Sequence, residues 1–85
     1  MEWHKLYNST RWRKYRLIFL AANPLCVDPY KDHGKRPVMA TVVDHIRAHR
    51  GSYPLFWAPW NHQALCHGCN SKKAVLEEGA FGIRI

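Results

Sequence analysis

Cys66 and Cys69 stand two residues apart in LCHGCNSKK, the segment 65–73, and this spacing constrains the chain more than any other feature. At 85 residues the chain is near the size at which an apolar core alone supplies only a few kcal/mol. A staple is therefore expected, either a disulfide or a bound metal. The cysteines number three, with Cys26 the third, and an odd count argues against a closed disulfide set. No apolar run approaches the length of a membrane span, and MEWHKLYNSTRWRK has neither an apolar region nor a small-residue cleavage site. The expected protein is soluble and cytoplasmic. Thiols stay reduced there, which favours metal over disulfide for the C-x-x-C pair.

The net charge is +7 and the isoelectric point about 9.7, which points to an anionic partner, most simply nucleic acid. A solvated basic surface that aids solubility is the alternative. Arg11, Arg13, Lys14 and Arg16 crowd the N-terminal segment, and Lys72 and Lys73 adjoin the cysteine pair.

Trp12, Tyr15, Phe19 and Ala22 recur at spacings of three and four, which predicts a helix over 9–22, capped by Ser9 or Thr10 and stopped at Asn23-Pro24. Its aromatic stripe is expected in the core, with the basic residues outward. A loop follows from Asn23 to Pro37. The β-branched run VMATVVDHI predicts a strand over 39–45 that delivers Asp44 and His45 at its end. The segment 47–61, with Gly51, Pro54 and Pro59, reads as loop, and Gln63-Ala64-Leu65 as a short second strand. A last helix is expected over 69–78 with Gly79 as its C-cap residue. The order defines a small α+β fold in which 1–85 form one domain.

Adjacent strand residues point to opposite faces, so Asp44 and His45 can serve one site only if the strand is ending and twisting there. Asp44 then offers oxygen to a hard cation such as Mg²⁺, and His45, with an ordinary pKa near 6.5, could take a proton from water. A surface Asp-His pair is the bland alternative. Asn70 follows Cys69 directly. A zinc knuckle would aim its amide oxygen at the same cation; otherwise it is a helix N-cap.

Taken together, VVDHI, then Asn61 in NHQALC, then CHGCNSKK resemble the HNH endonuclease family over about 41–76. The flanks YNSTRWRKYR, LAANPLC, HRG and LFW are similar to short HNH proteins of tailed bacteriophages. The resemblance implies a ββα-metal core behind the N-terminal helix, stapled by zinc. It implies an enzyme in which His45 is the general base and Asn61 braces the loop between the strands. Asp44 and Asn70 would hold the catalytic cation. Lys72, Lys73, His49, Arg50, Arg11 and Lys14 are the candidates for DNA phosphate contacts. Implied besides are low sequence specificity, nicking of one strand at a time, and a role beside a phage packaging terminase in a bacterial host's cytoplasm.

Two departures qualify the likeness. Asn70 stands where the family often has His, and a neutral oxygen donor shifts preference toward Mg²⁺ or Mn²⁺. Family members with this knuckle usually bring a second C-x-x-C, yet Cys26-Val27-Asp28-Pro29 has proline in the fourth cysteine's place. Three thiolates, Cys26, Cys66 and Cys69, remain for the structural zinc: either His33 or Asp28 completes the tetrahedron, His33 being the better ligand, or the site keeps a water, or zinc binds too weakly to matter. Two other functions compete with the nuclease. One is a non-catalytic zinc-knuckle module that binds nucleic acid, indifferent to His45. The other is an interaction protein that docks through FWAPW, although those aromatics are expected to cover the core.

Overall fold

The computed structural model describes residues 4–78. In chain order it holds α1 (His4–Tyr7), α2 (Thr10–Ala22), β1 (Val42–His45), α3 (Tyr53–Trp57), a 3₁₀ turn (Pro59–Asn61), β2 (His62–Leu65) and α4 (His67–Glu78). The expected α+β architecture is present, an N-terminal helix followed by β, β and α. Gly79, the expected C-cap of the last helix, lies outside the described residues.

Helix α2 starts where the Ser9 hydroxyl accepts the Trp12 N–H at 3.1 Å. It ends at Asn23, whose backbone and side-chain N–H groups both reach the Phe19 carbonyl, at 2.8 and 3.0 Å. Pro24 bars a further turn. Trp12 is buried and Tyr15 and Phe19 half-buried, as the stripe implies, while Ala22 is exposed. Arg16 ties the helix to the sheet by donating to the Thr41 carbonyl at 2.8 Å.

The two strands pair antiparallel, with Val42 opposite Leu65 and His45 opposite His62. The first strand is shorter than the expected 39–45, because its early residues pair elsewhere. Cys26 donates to Val38 and Ala40 to Pro24, both at 2.8 Å, and Val27 donates to Ala64 at 3.0 Å. This second pairing carries Cys26 to the end of β2, beside the knuckle.

Segment 47–61 is not wholly loop. Ser52 caps α3, Pro54 sits in its first turn, and Phe56 drops fully buried onto Trp12 and Val43. Full burial of one such ring stabilises the fold by roughly 1.5–3 kcal/mol. Five residues, one of them Pro54, are too few to show a helical period, so the sequence pattern could not reveal α3. The FWAPW aromatics divide accordingly. Phe56 is core, Trp57 lies half-buried beneath the Arg11 guanidinium 3.7 Å away, and Trp60 is exposed.

Candidate functional site

Asp44 and His45 open onto one cleft of about 700 Å³, which Tyr7, His49, Asn70 and Lys73 also line. The strand ends at this point, as the shared site requires. Ile46 donates to the Asn61 carbonyl at 2.8 Å, and the Asn61 amide grips the next peptide on both sides. Its Oδ1 accepts from Arg47 N at 2.8 Å while its Nδ2 donates to Arg47 O at 3.1 Å and to Leu55 O at 2.9 Å. Asn61 is fully buried, so it extends the ladder by one side-chain rung and pins α3 to the turn after β1.

His45 Nε2 donates to the Phe56 carbonyl at 2.9 Å, and His62 Nε2 donates to the same oxygen at 2.8 Å. A carbonyl only accepts, so both rings carry their hydrogen on Nε2 and a lone pair on Nδ1. The Tyr15 hydroxyl donates to His62 Nδ1 at 2.6 Å. His45 Nδ1 has no hydrogen bond among the described residues, and no buried side-chain nitrogen or oxygen among them lacks a partner, so this atom faces the cleft. Burial lowers the His45 pKa to about 4, against the Phe56 hydrogen bond and with help from His62, His49 and Lys73. The ring is therefore neutral well below the ordinary value of 6.5 that the sequence suggested.

Asp44 is half-buried. Its Oδ2 accepts from Gln63 Nε2 at 2.9 Å and lies 3.4 Å from Lys73 Nζ. Burial raises its pKa, a shift that Gln63 and Lys73 oppose. Asn70 is not a helix cap: α4 begins at His67, and Cys66 Sγ accepts the Cys69 N–H at 3.4 Å in the capping role. Asn70 is the fourth residue of that helix, half-buried on the cleft wall with Asp44.

The basic candidates scatter. His49, Arg50 and Lys73 line the cleft, whereas Arg11, Lys14 and Lys72 do not. Lys72 pairs with Asp32 at 2.8 Å. His49 is buried, its Nδ1 accepting from Gly51 N at 3.0 Å and its Nε2 donating to Tyr7 Oη at 2.7 Å. Tyr7 is a cleft residue that sequence reading missed, because α1 is a four-residue helix whose approach to His49 is purely tertiary.

A second centre lies at the knuckle. Cys26, His33, Cys66 and Cys69 offer ligand atoms that all lie within 4.8 Å of one another. His33 Nε2 is 3.6 Å from Cys66 Sγ and 3.5 Å from Cys69 Sγ. A tetrahedral zinc with ordinary bond lengths spans sulfur to nitrogen by about 3.6 Å, so the donor set fits. Asp28 serves the loop instead. With φ at +53° it turns the chain, and its carboxylate accepts the Asp32 and His33 N–H groups, at 2.8 Å for Asp32. That turn folds His33 back over the cysteines and replaces the missing fourth thiolate.

Burial pushes the Cys69 thiol up to about 12, and the neighbouring sulfurs add to the shift. Burial would raise Cys26 too, but the N–H groups of Cys66 and Asp28 and the His33 ring outweigh it and bring Cys26 down to about 7. Three sulfurs this close ionise together only around a cation, and the group could hold a metal such as zinc.

The fold resembles that of the HNH endonucleases. Among solved structures the chain is similar to the crystal structure of the HNH endonuclease of the deep-sea thermophilic bacteriophage GVE2 with manganese ion. The TM-score is 0.75 and the identity 29%, over 95% of this chain and 87% of that one. No protein-family model matches the sequence, and no curated protein matches it. The similarity supports a nuclease function. Among the described residues no helix is long and apolar enough to cross a membrane.

Proposed function

We propose that the chain is one HNH nuclease domain that hydrolyses DNA phosphodiester bonds, nicking one strand at a time with little sequence preference. One observation carries the reading: the unpartnered Nδ1 of a neutral, tautomer-locked His45 faces the cleft that Asp44 and Asn70 also line. On this reading His45 Nδ1 takes the proton of the attacking water. The water oxygen bonds to phosphorus as the bond to the 3′-oxygen breaks. Asp44 and Asn70 are hard oxygen donors that would hold Mg²⁺ or Mn²⁺, and the bound cation supplies charge stabilisation at the scissile phosphate. The manganese in the similar structure is consistent with that choice.

Asn61 acts through His45 as a positioning residue, by holding the Arg47 and Leu55 backbone that frames the Phe56 carbonyl. His49, Arg50 and Lys73 supply the nearest positive and polar groups to the DNA backbone, and the outer face of α2, with Arg11 and Lys14, extends the basic surface. Zinc on the three cysteines and His33 fixes the start of α4 and thereby Asn70. The likeness to a phage enzyme supports a setting in phage genome processing, beside the packaging terminase in a bacterial cytoplasm.

The test is conversion of supercoiled plasmid to nicked circles in Mg²⁺ or Mn²⁺. Wild type is compared with folded His45→Ala and with an EDTA control. Loss of nicking in both arms is expected. DNA binding without nicking in any divalent metal would instead favour the non-catalytic zinc-knuckle module.

A further inference from the structure

Lys73 was expected on DNA phosphate, yet three protein oxygens converge on its ammonium. Nζ lies 2.9 Å from Glu77 Oε1, 3.1 Å from the His45 carbonyl and 3.4 Å from Asp44 Oδ2. Its side chain is only 12% exposed, so the cation is held inside the site rather than waving over it. The arrangement follows from helix geometry. Asn70, Lys73 and Glu77 fall at spacings of three and four, which stacks them on one face of α4 against the end of β1.

We propose that Lys73 is a resident cation of the Asp44 site and that Glu77 shares it, so that the pair sets how tightly Asp44 takes a divalent ion. This rests on the reading of Asp44 as a cation ligand. Asp44 Oδ2 is engaged by Gln63 and Lys73, and Oδ1 has no hydrogen bond among the described residues. A divalent ion on Oδ1 is separated from the ammonium by that one carboxyl group, and like charges so close repel strongly in a half-buried cleft. Lys73 therefore weakens metal binding.

Glu77 moderates the effect. It sits one turn further along α4, is 49% exposed, and offers the ammonium a second anchor. When the ion binds, Lys73 keeps a carboxylate partner and its positive charge turns toward an incoming phosphodiester. The device makes the site bind metal best when DNA is present, because the phosphate compensates both cations.

The experiment measures Mn²⁺ affinity by electron paramagnetic resonance of the free ion, without DNA, on protein whose three-cysteine, one-histidine group is loaded with zinc. Lys73→Met should bind Mn²⁺ at least about tenfold more tightly than wild type, and Lys73→Arg, which keeps the charge, within about threefold of it. Glu77→Gln should bind about threefold or more weakly, and should have a smaller effect in the Lys73→Met background, because Glu77 acts mainly through Lys73. Lys73→Gln replaces Lys73→Met if circular dichroism shows the latter misfolded. A Lys73→Met affinity within twofold of wild type overturns the proposal. So does a Glu77→Gln loss as large without Lys73 as with it. Asp44→Asn separates the two readings. Binding that survives it overturns the Asp44 assignment itself, whereas binding that needs Asp44 but ignores Lys73 overturns only the present inference.

Discussion

Replacing Asn61 by Ala should be the most damaging single polar substitution in this fold. The side chain makes three hydrogen bonds, to the N–H and carbonyl of Arg47 and to the carbonyl of Leu55, at 2.8, 3.1 and 2.9 Å. Each contributes about 1 kcal/mol net, and groups left buried without a partner cost about 1–3 kcal/mol more. Arg47 is exposed, so water can rescue its two backbone groups and only the net terms count there. Leu55 is half-buried, and its carbonyl bears part of the desolvation cost. The sum is about 4 kcal/mol. A domain of this length has a total stability of roughly 4–13 kcal/mol, so the loss is a large fraction.

The assay is urea unfolding followed by tryptophan fluorescence on zinc-loaded protein. The midpoint should fall with the slope unchanged. Asn61→Asp is the sharper companion: it preserves shape but turns an acceptor toward two carbonyls, and should be at least as destabilised as Asn61→Ala at pH 7. A loss below about 1 kcal/mol in Asn61→Ala at constant slope would refute the argument that this amide is a structural rung.

The remaining expectations concern the knuckle, the histidines and the helix cap. Zinc should co-purify at one equivalent with wild type and be lost from His33→Ala, with a lower melting temperature, whereas His33→Cys should retain it; elemental analysis and calorimetry read both, and zinc retained in His33→Ala removes His33 from the ligand set. The buried His45 has its pKa lowered to about 4 from an ordinary 6.5. Between those values the unfolded chain binds more protons than the folded one. This contribution, about 3 kcal/mol, is therefore complete above pH 6.5 and is lost as pH falls toward 4. His49 is shifted in the same direction by burial, and a melting temperature flat from pH 7 to 4.5 would contradict both. For the cap, Ser9→Ala removes the bond to Trp12 N and should cost about 1 kcal/mol, read as a fall of about 4–8 °C in the melting temperature.

Much of this was legible in the residues themselves. The spacing of Trp12, Tyr15 and Phe19 announced α2 and its buried face, and Asn23-Pro24 its end, because period and stop signal are local properties. The C-x-x-C pair with Cys26 pointed to a metal group whose fourth donor was open between His33 and Asp28, and the fold places the His33 ring 3.5 Å from Cys69 Sγ. Of the residues marked by their order along the chain, Asp44, His45 and Asn70 come together on one cleft, while Asn61 is buried behind it. Helix α3 was not legible, since five residues hold no period, and the strand over 39–41 was overestimated because β-branched composition cannot say which partner a strand finds.

Residue type and short-range spacing alone thus marked the candidate residues, because they set ligand chemistry, helix phase and turn position. Tertiary structure decided the surroundings of each. The Phe56 carbonyl, eleven residues from His45 along the chain, selects the imidazole tautomer and leaves Nδ1 to the cleft. Burial among Trp12, Phe56 and the other histidines, not the imidazole itself, lowers the His45 pKa. Lys73 is turned from a surface cation into a partner of Asp44 only by the crossing of α4 over the end of β1. Tautomer, pKa and ion pairing all depend on distance and dielectric between groups far apart in the chain, and those quantities exist only once the chain has folded.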